Sequence, residues 1–262
     1  MALNLPKLLF FDMDNTLTDT KTHKVPASTI QALREVQRNG YKLCIATGRE
    51  WMMVKSNEAL EVLEWDGFVL TNGQLVLDHD FREILHVTIA RHALLEFLDL
   101  LAVYKLSATF SGNYNFRVTD IDINMTIAHT FFAEPIYDFD EYTNQPIDKI
   151  LLYMPDDFDL TPFRQIKGIH VVKGISTYCD IIAENSNKYT GIKALMENMG
   201  CENDGYSAFG DSLNDMEMLQ NAEISVAMGN AVDDLKKIAT LVTSDVGKDG
   251  IANGLRKLGY IK

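Results

Sequence analysis

Four polar clusters in this chain hold residue types that can do chemistry together. The first is Asp12-Met-Asp14-Asn-Thr16, directly after the apolar run Leu8–Phe11. A carboxylate at a strand end, in a loop rich in backbone N–H groups, can act as a nucleophile and form an acyl-phosphate. A second carboxylate two residues on can protonate a leaving oxygen and then activate water. The second cluster is Thr47-Gly48-Arg49, where the Thr47 hydroxyl and the Gly48 N–H can donate to a bound phosphoryl group. The third, Asn187-Lys188, supplies a cation. The fourth, Gly210-Asp211-Ser-Leu-Asn214-Asp215, adds hard oxygen ligands of the kind that Mg²⁺ takes. Acids gathered in one cleft need cations, or their pKa values rise; Lys188 is one such cation and Mg²⁺ the other.

Taken singly, each cluster also has an ordinary reading. Paired acids make a solvated loop, Thr47-Gly48 can cap the helix that follows, and a helical lysine is usually a solvated charge. Asp211 and Asp215 can simply favour the positive end of a helix dipole. Their joint weight comes from placement, because ligands of doubly wound sheets bind at the carboxyl ends of strands.

The elements that must place them alternate. A strand over Leu8–Phe11 is followed by a helix over 27–39, with Ile30, Leu33 and Val36 at helical spacing and Gly40 as its stop. A strand over Tyr41–Ala46, a helix over Glu50–Leu63 and a strand over Phe68–Leu70 come next, ending in the turn signal Asn72-Gly73. From about Phe81 to Asp180 the order changes to helix, two strands, helix, strand, helix, two strands, which predicts an antiparallel α+β module with helices on one face. The alternation resumes with a helix over Lys188–Met199 and strands ending at Phe209, Met228 and Thr243. The expected fold is α/β: a doubly wound parallel sheet formed by residues 1–81 and 181–262, with an α+β module inserted over 82–180.

The composition sets bounds on function. Lys plus Arg number 24 against 37 Asp plus Glu, a formal net charge of -13, so nucleic acid is not an expected partner. No stretch approaches the roughly 20 apolar residues of a membrane span, so no membrane is expected either. Cys44, Cys179 and Cys201 form no CxxC, which predicts reduced thiols in a cytoplasmic chain. The six histidines show no ligand spacing. Val246-Gly-Lys-Asp-Gly250 lacks the spacing of a phosphate-binding P-loop.

With these residues in view, the chain resembles the haloacid dehalogenase superfamily of phosphohydrolases, in its Cof-type branch with a class II (IIB) cap. Phe10-Phe-Asp-Met-Asp-Asn-Thr-Leu17 is similar to the family's first motif and Ala46-Thr-Gly-Arg49 to its second. Lys188 and its helix resemble the third, and Phe209-Gly-Asp-Ser-Leu-Asn-Asp215 the fourth. The resemblance implies a doubly wound core with a substrate-covering cap over 82–180. It implies Asp12 as nucleophile and Asp14 as general acid/base. Thr47, Gly48 and Lys188 would bind the phosphate. Mg²⁺ would be held by Asp12, the Asp14 main-chain carbonyl and Asp211, with Asn214 and Asp215 in support. The family usually has Gly where Asn15 stands, and Asn accepts left-handed backbone well enough for the turn to survive. The expected partner is a small phosphorylated metabolite, a sugar phosphate before others. A phosphosugar mutase and a non-catalytic phospho-ligand-binding protein are the rival readings. Oligomeric state, monomer or dimer, is left open by the sequence.

Overall fold

Leu8–Phe11 (β1) is apolar and buried at each position, as a strand covered on both faces must be. In the computed structural model, which describes residues 5–132, 135–173 and 177–262, this strand lies inside a sheet. It is followed by α1 (Ala27–Arg38), β2 (Lys42–Ala46), α2 (Trp51–Lys55), α3 (Glu58–Val62) and β3 (Gly67–Leu70). Helix α1 buries Thr29, Ala32, Leu33 and Val36, one stripe at helical spacing. The single helix expected over 50–63 is two short ones. Ser56 and Asn57 interrupt it, and Asn57 caps the second piece by accepting from the Ala59 N–H.

Two further strands, β4 (Leu75–Asp78) and β5 (Glu83–His86), extend the sheet by antiparallel pairing. Neither is expected from the sequence, because Leu75-Val76-Leu77 is a short apolar run between a turn and the acids Asp78 and Asp80. The turn before β4 does follow the Asn-Gly signal: Asn72 and Gly73 have φ of 52° and 93°.

The second module runs α4 (Arg91–Tyr104), β6 (Ser107–Gly112), β7 (Asn115–Arg117), α5 (Ile123–Phe132), β8 (Ile147–Tyr153), α6 (Thr161–Arg164), β9 (Ile169–Lys173) and β10 (Tyr178–Ala183). Its strands form one antiparallel sheet in the order β7-β6-β8-β10-β9. Ala108, Phe110, Ile150, Leu152 and Ile181 pack with Phe97 of α4 and Phe163 of α6. The alternate residue Tyr153 packs instead with Met125 and Ala128 of α5. Helices therefore cover both faces of this sheet, where the sequence predicts one. The second face carries Ser107, Thr109 and Ser111, and its polarity reads as solvent exposure when strand alternation is the guide.

The chain then returns to the first pattern with α7 (Lys188–Asn198), β11 (Ser207–Gly210), α8 (Met216–Gln220), β12 (Ile224–Ala227), α9 (Asp233–Ile238), β13 (Leu241–Val242) and α10 (Gly250–Leu258). Among the described residues the first sheet has eight strands in the order β13-β12-β11-β1-β2-β3-β4-β5. Pairing is parallel from β13 through β3. From β1 the chain winds outward through β2 and β3, and from β11 outward through β12 and β13. The direction reverses between β1 and β11, the position where open α/β sheets bind ligands beyond their strand ends.

Contacts divide the chain into one unit of residues through His86 with Asn187–Lys262, and another of Val87–Ser186. These limits fall a few residues after 81/82 and 180/181, because β5 pairs with β4 and β10 continues to Ala183. Among the described residues no helix is long and apolar enough to cross a membrane.

Candidate active site

Strand register brings three of the four clusters together. Phe11 is level with Ile45 on β2 and with Phe209 on β11, so Asp12, Thr47 and Asp211 leave neighbouring strands within about two residues of one another. The Asp12 N–H continues the ladder, donating to the Phe209 carbonyl at 3.0 Å. Thr47 does the same on the next strand, donating to the Val69 carbonyl at 2.8 Å. The turn after Asp12 depends on Asn15, which takes φ of 57° and whose N–H donates to the Thr18 carbonyl at 2.7 Å.

The remaining cluster enters through α7. Asn187 caps that helix by accepting from the Thr190 N–H at 2.9 Å, while its own N–H donates to Thr190 Oγ1. A Cβ on Gly73 would collide with the Asn187 carbonyl, so the turn after β3 and the start of α7 can meet only at glycine. This places Lys188 in the first turn with 0% exposure. Its Nζ donates to Asp12 Oδ1 at 2.5 Å and to Asp215 Oδ1 at 2.6 Å. Lys188 is thus neither solvated nor a surface charge; it is a buried ammonium shared by two buried carboxylates.

Asp215 is occupied on its other oxygen as well. Oδ2 accepts from the N–H groups of Asp211 and Ser212 at 2.9 and 3.0 Å. A Cβ on Gly210 would lie 2.6 Å from the Asp215 carboxyl carbon, so β11 must end in glycine for this loop to close. Asp211 accepts from Thr16 Oγ1 at 3.2 Å. Asn214 stands farther along the same loop, where it accepts from Ser212 Oγ at 2.5 Å and donates to Asn72 Oδ1 at 3.0 Å. Asn72 in turn donates its N–H to the Thr47 carbonyl at 3.0 Å. The β3–β4 turn therefore ties the loop of Thr47 and Gly48 to the loop of Asp211 and Asp215.

Asp14 stands apart from this buried group. Both of its oxygens are taken by Arg49, from Nε at 2.9 Å and Nη2 at 2.6 Å. The sequence alone gives no role to Arg49, Thr16 or Asn72. Arg49 carries the one usable signal, a cation in a strand-end triplet facing an excess of acids.

Charge decides what the group can bind. Burial pushes the Asp12 carboxyl up to about 7, with Lys188 pulling against it and Asp215 and Asp14 adding to the rise. Burial likewise pushes Asp211 up to about 9, reinforced by Asp12 and Asp215. For Lys188 burial alone would lower the ammonium; Asp12 and Asp215 outweigh it and hold it above the usual lysine range. Ligand atoms of Asp12, Asp211 and Asp215 lie within 4.8 Å of one another, all buried. Three carboxylates against one ammonium leave a deficit of positive charge, and an all-oxygen donor set suits a hard divalent cation. The residues present fit such an ion.

Residues 9–255 match the family model of the haloacid dehalogenase-like hydrolases. The chain belongs to that family. YkrA of Bacillus subtilis, named as a phosphatase, is 31% identical over 265 residues, which cover 98% of this chain and 99% of that protein. YcsE of the same organism, a 5-amino-6-(5-phospho-D-ribitylamino)uracil phosphatase, is 26% identical across 95% of this chain and 94% of its own. Among solved structures, the phosphatase BT1666 from Bacteroides thetaiotaomicron superposes with a TM-score of 0.89 at 24% identity, over 98% of this chain and 96% of that one; that likeness shows the fold. This hydrolase is a Cof-type phosphatase of the superfamily, a phosphoric monoester hydrolase.

Proposed function

We propose that this phosphatase is Mg²⁺-dependent, acts in the cytoplasm on a small phosphorylated metabolite, a sugar phosphate before others, and works through an aspartyl-phosphate on Asp12. The observation that carries the proposal is Lys188 Nζ bound at once to Asp12 and Asp215, beside Asp211, at the strand-order reversal. Lys188 holds Oδ1 of Asp12, which leaves Oδ2 to attack phosphorus. The phosphorus–oxygen bond to the leaving group breaks as the bond to Asp12 forms, and Asp14 gives its proton to the departing alkoxide. Asp14, now a carboxylate, takes a proton from the water that attacks the aspartyl-phosphate. Inorganic phosphate leaves and Asp12 is restored.

The Thr47 hydroxyl, the Gly48 N–H and the Lys188 ammonium are assigned to hold phosphoryl oxygens through both steps. Asp12, the Asp14 carbonyl and Asp211 would hold Mg²⁺, with Asn214 and Asp215 bracing the loop, and the bound ion would neutralise charge on the phosphoryl oxygens. The sugar-phosphate assignment is supported by the name of YcsE, whose substrate carries its phosphate on a ribityl chain. Substrate selection is assigned to the inserted module. The three free cysteines agree with a reducing compartment.

Phosphate release from a panel of sugar phosphates and an aryl phosphate, with Mg²⁺ or with EDTA, tests the proposal. Metal-dependent release of inorganic phosphate is expected; no release, or formation of an isomeric sugar phosphate, would count against it. Stability gives a second readout. The Asp12 and Asp211 carboxyls lie above their unfolded values, so their protonated forms favour the fold, and that contribution is lost as pH rises through about 7 and about 9. Without metal, stability should therefore fall between about pH 5 and about pH 8 through these groups, and the rise in Tm on adding Mg²⁺ should be larger at the higher pH. A Tm rise that is the same at both pH values would contradict the assigned ligands.

A further inference from the structure

Asp14 and Arg49 meet from two different strand-end loops. The contact is bidentate, so the guanidinium fixes the plane of the carboxylate as well as its position. Arg49 is itself anchored: its N–H donates to Thr47 Oγ1 at 3.1 Å and its carbonyl accepts from the Thr71 N–H at 3.0 Å. Thr71 is held in the left-handed region at φ of 48°, a conformation that a β-branched residue adopts only under local constraint. The guanidinium thus projects from a braced loop, and the carboxylate it grips lies two residues from Asp12. With side chains 24% and 39% exposed, the pair adds little to stability.

We propose that Arg49 is the positioning residue of Asp14: its two-pronged contact sets the plane of the ionised carboxylate, and once Asp14 is protonated one oxygen keeps the guanidinium contact while the other carries the proton toward the leaving oxygen. The proposal rests on the assignment of Asp14 as proton donor given above. The role to be separated from this one is direct contact of the guanidinium with the phosphoryl oxygens. The two roles differ in their dependence on the leaving group. An alkoxide needs a proton to depart, whereas p-nitrophenolate leaves without one, so loss of a proton donor is felt by alkyl phosphates and hardly by aryl ones. Loss of a phosphoryl contact is felt equally by both.

The test compares kcat/KM for glycerol 1-phosphate and p-nitrophenyl phosphate in the wild-type chain, Arg49→Ala, Arg49→Lys, Asp14→Asn and the double variant Asp14→Asn/Arg49→Ala, all with Mg²⁺. General acid–base groups typically contribute two to four powers of ten, so Arg49→Ala should cost the alkyl ester about 30-fold or more and the aryl ester less than about 3-fold. Arg49→Lys should recover only part of the loss, because an ammonium cannot form the two-pronged contact. On the alkyl ester the double variant should lose no more than Asp14→Asn alone, as expected for two residues acting through one group. Equal losses on both esters, or losses that multiply in the double variant, would overturn the proposal. Far-UV circular dichroism and Tm check that each variant is folded, as the small stability contribution of this partly exposed pair predicts. If wild-type protein releases no phosphate, or Asp12→Asn keeps its activity, the mechanism has failed rather than the role of Arg49.

Discussion

Asp12→Asn is expected to lower phosphate release by about 10⁴-fold or more, the order lost when a nucleophile that works as part of a unit is removed. The amide has nearly the volume of the carboxylate and keeps a carbonyl oxygen that can accept from Lys188, so the buried contact at Oδ1 can persist. What it lacks is the anionic oxygen that attacks phosphorus. The loss should therefore appear on every substrate, whatever its leaving group, which separates this variant from Asp14→Asn and Arg49→Ala. Steady-state phosphate release from an aryl ester, with Tm measured alongside, checks it. Activity within about tenfold of wild type in a folded variant would remove Asp12 from the mechanism.

Lys188→Met is expected to have the largest effect on stability among the site residues. The ammonium has no exposure and serves two carboxylates that are themselves buried. Removing one partner of a buried ionic group typically costs about 3–5 kcal/mol, because the remaining charges are left without compensation. The methionine fills most of the space, so a cavity adds little. The Arg49–Asp14 pair makes the contrast: it is partly exposed, and breaking it should cost within about 1 kcal/mol. Urea denaturation of both variants measures the difference. The Lys188→Met penalty should shrink at low pH, where a protonated Asp12 no longer needs a counter-charge. Added Mg²⁺ should recover part of the lost stability but not the activity, since Lys188 also holds the phosphoryl group in the proposed mechanism. Equal destabilisation of the two variants would mean that burial does not govern these pairs.

Much of this arrangement is legible in the sequence, for physical reasons. A run such as Leu8–Phe11 fits only a strand buried on both faces, and a carboxylate immediately after it must emerge at the strand end. Parallel crossovers then bring the ends of β1, β2 and β11 side by side, so Asp12, Thr47 and Asp211 become neighbours without any contact being specified locally. Lys188 is recognisable as a helix-start residue, but its burial depends on Gly73 allowing α7 to approach, which no local signal records.

The features that escape the sequence are tertiary contacts between side chains. Arg49 and Asp14 are 35 positions apart, and Asn72 and Asn214 are 142 apart. No periodicity connects either pair. The break at Asn57 and the strands β4 and β5 involve stretches too short for a period to stand out. The placement of α5 on the second face of the inserted sheet is hidden by serines and threonines that read as solvent-facing.

The most direct measurement is to trap the covalent intermediate. Asp14→Asn protein, given labelled aryl phosphate with Mg²⁺ and quenched in acid, should accumulate label on the protein, because the water that clears the aspartyl-phosphate is no longer activated. The mechanism predicts that the label maps to the peptide containing Asp12, is released by hydroxylamine and is absent when Asp12 is also changed to Asn. Label on another residue, or phosphate formed through water attack with no labelled protein at any time, would contradict nucleophilic catalysis by Asp12.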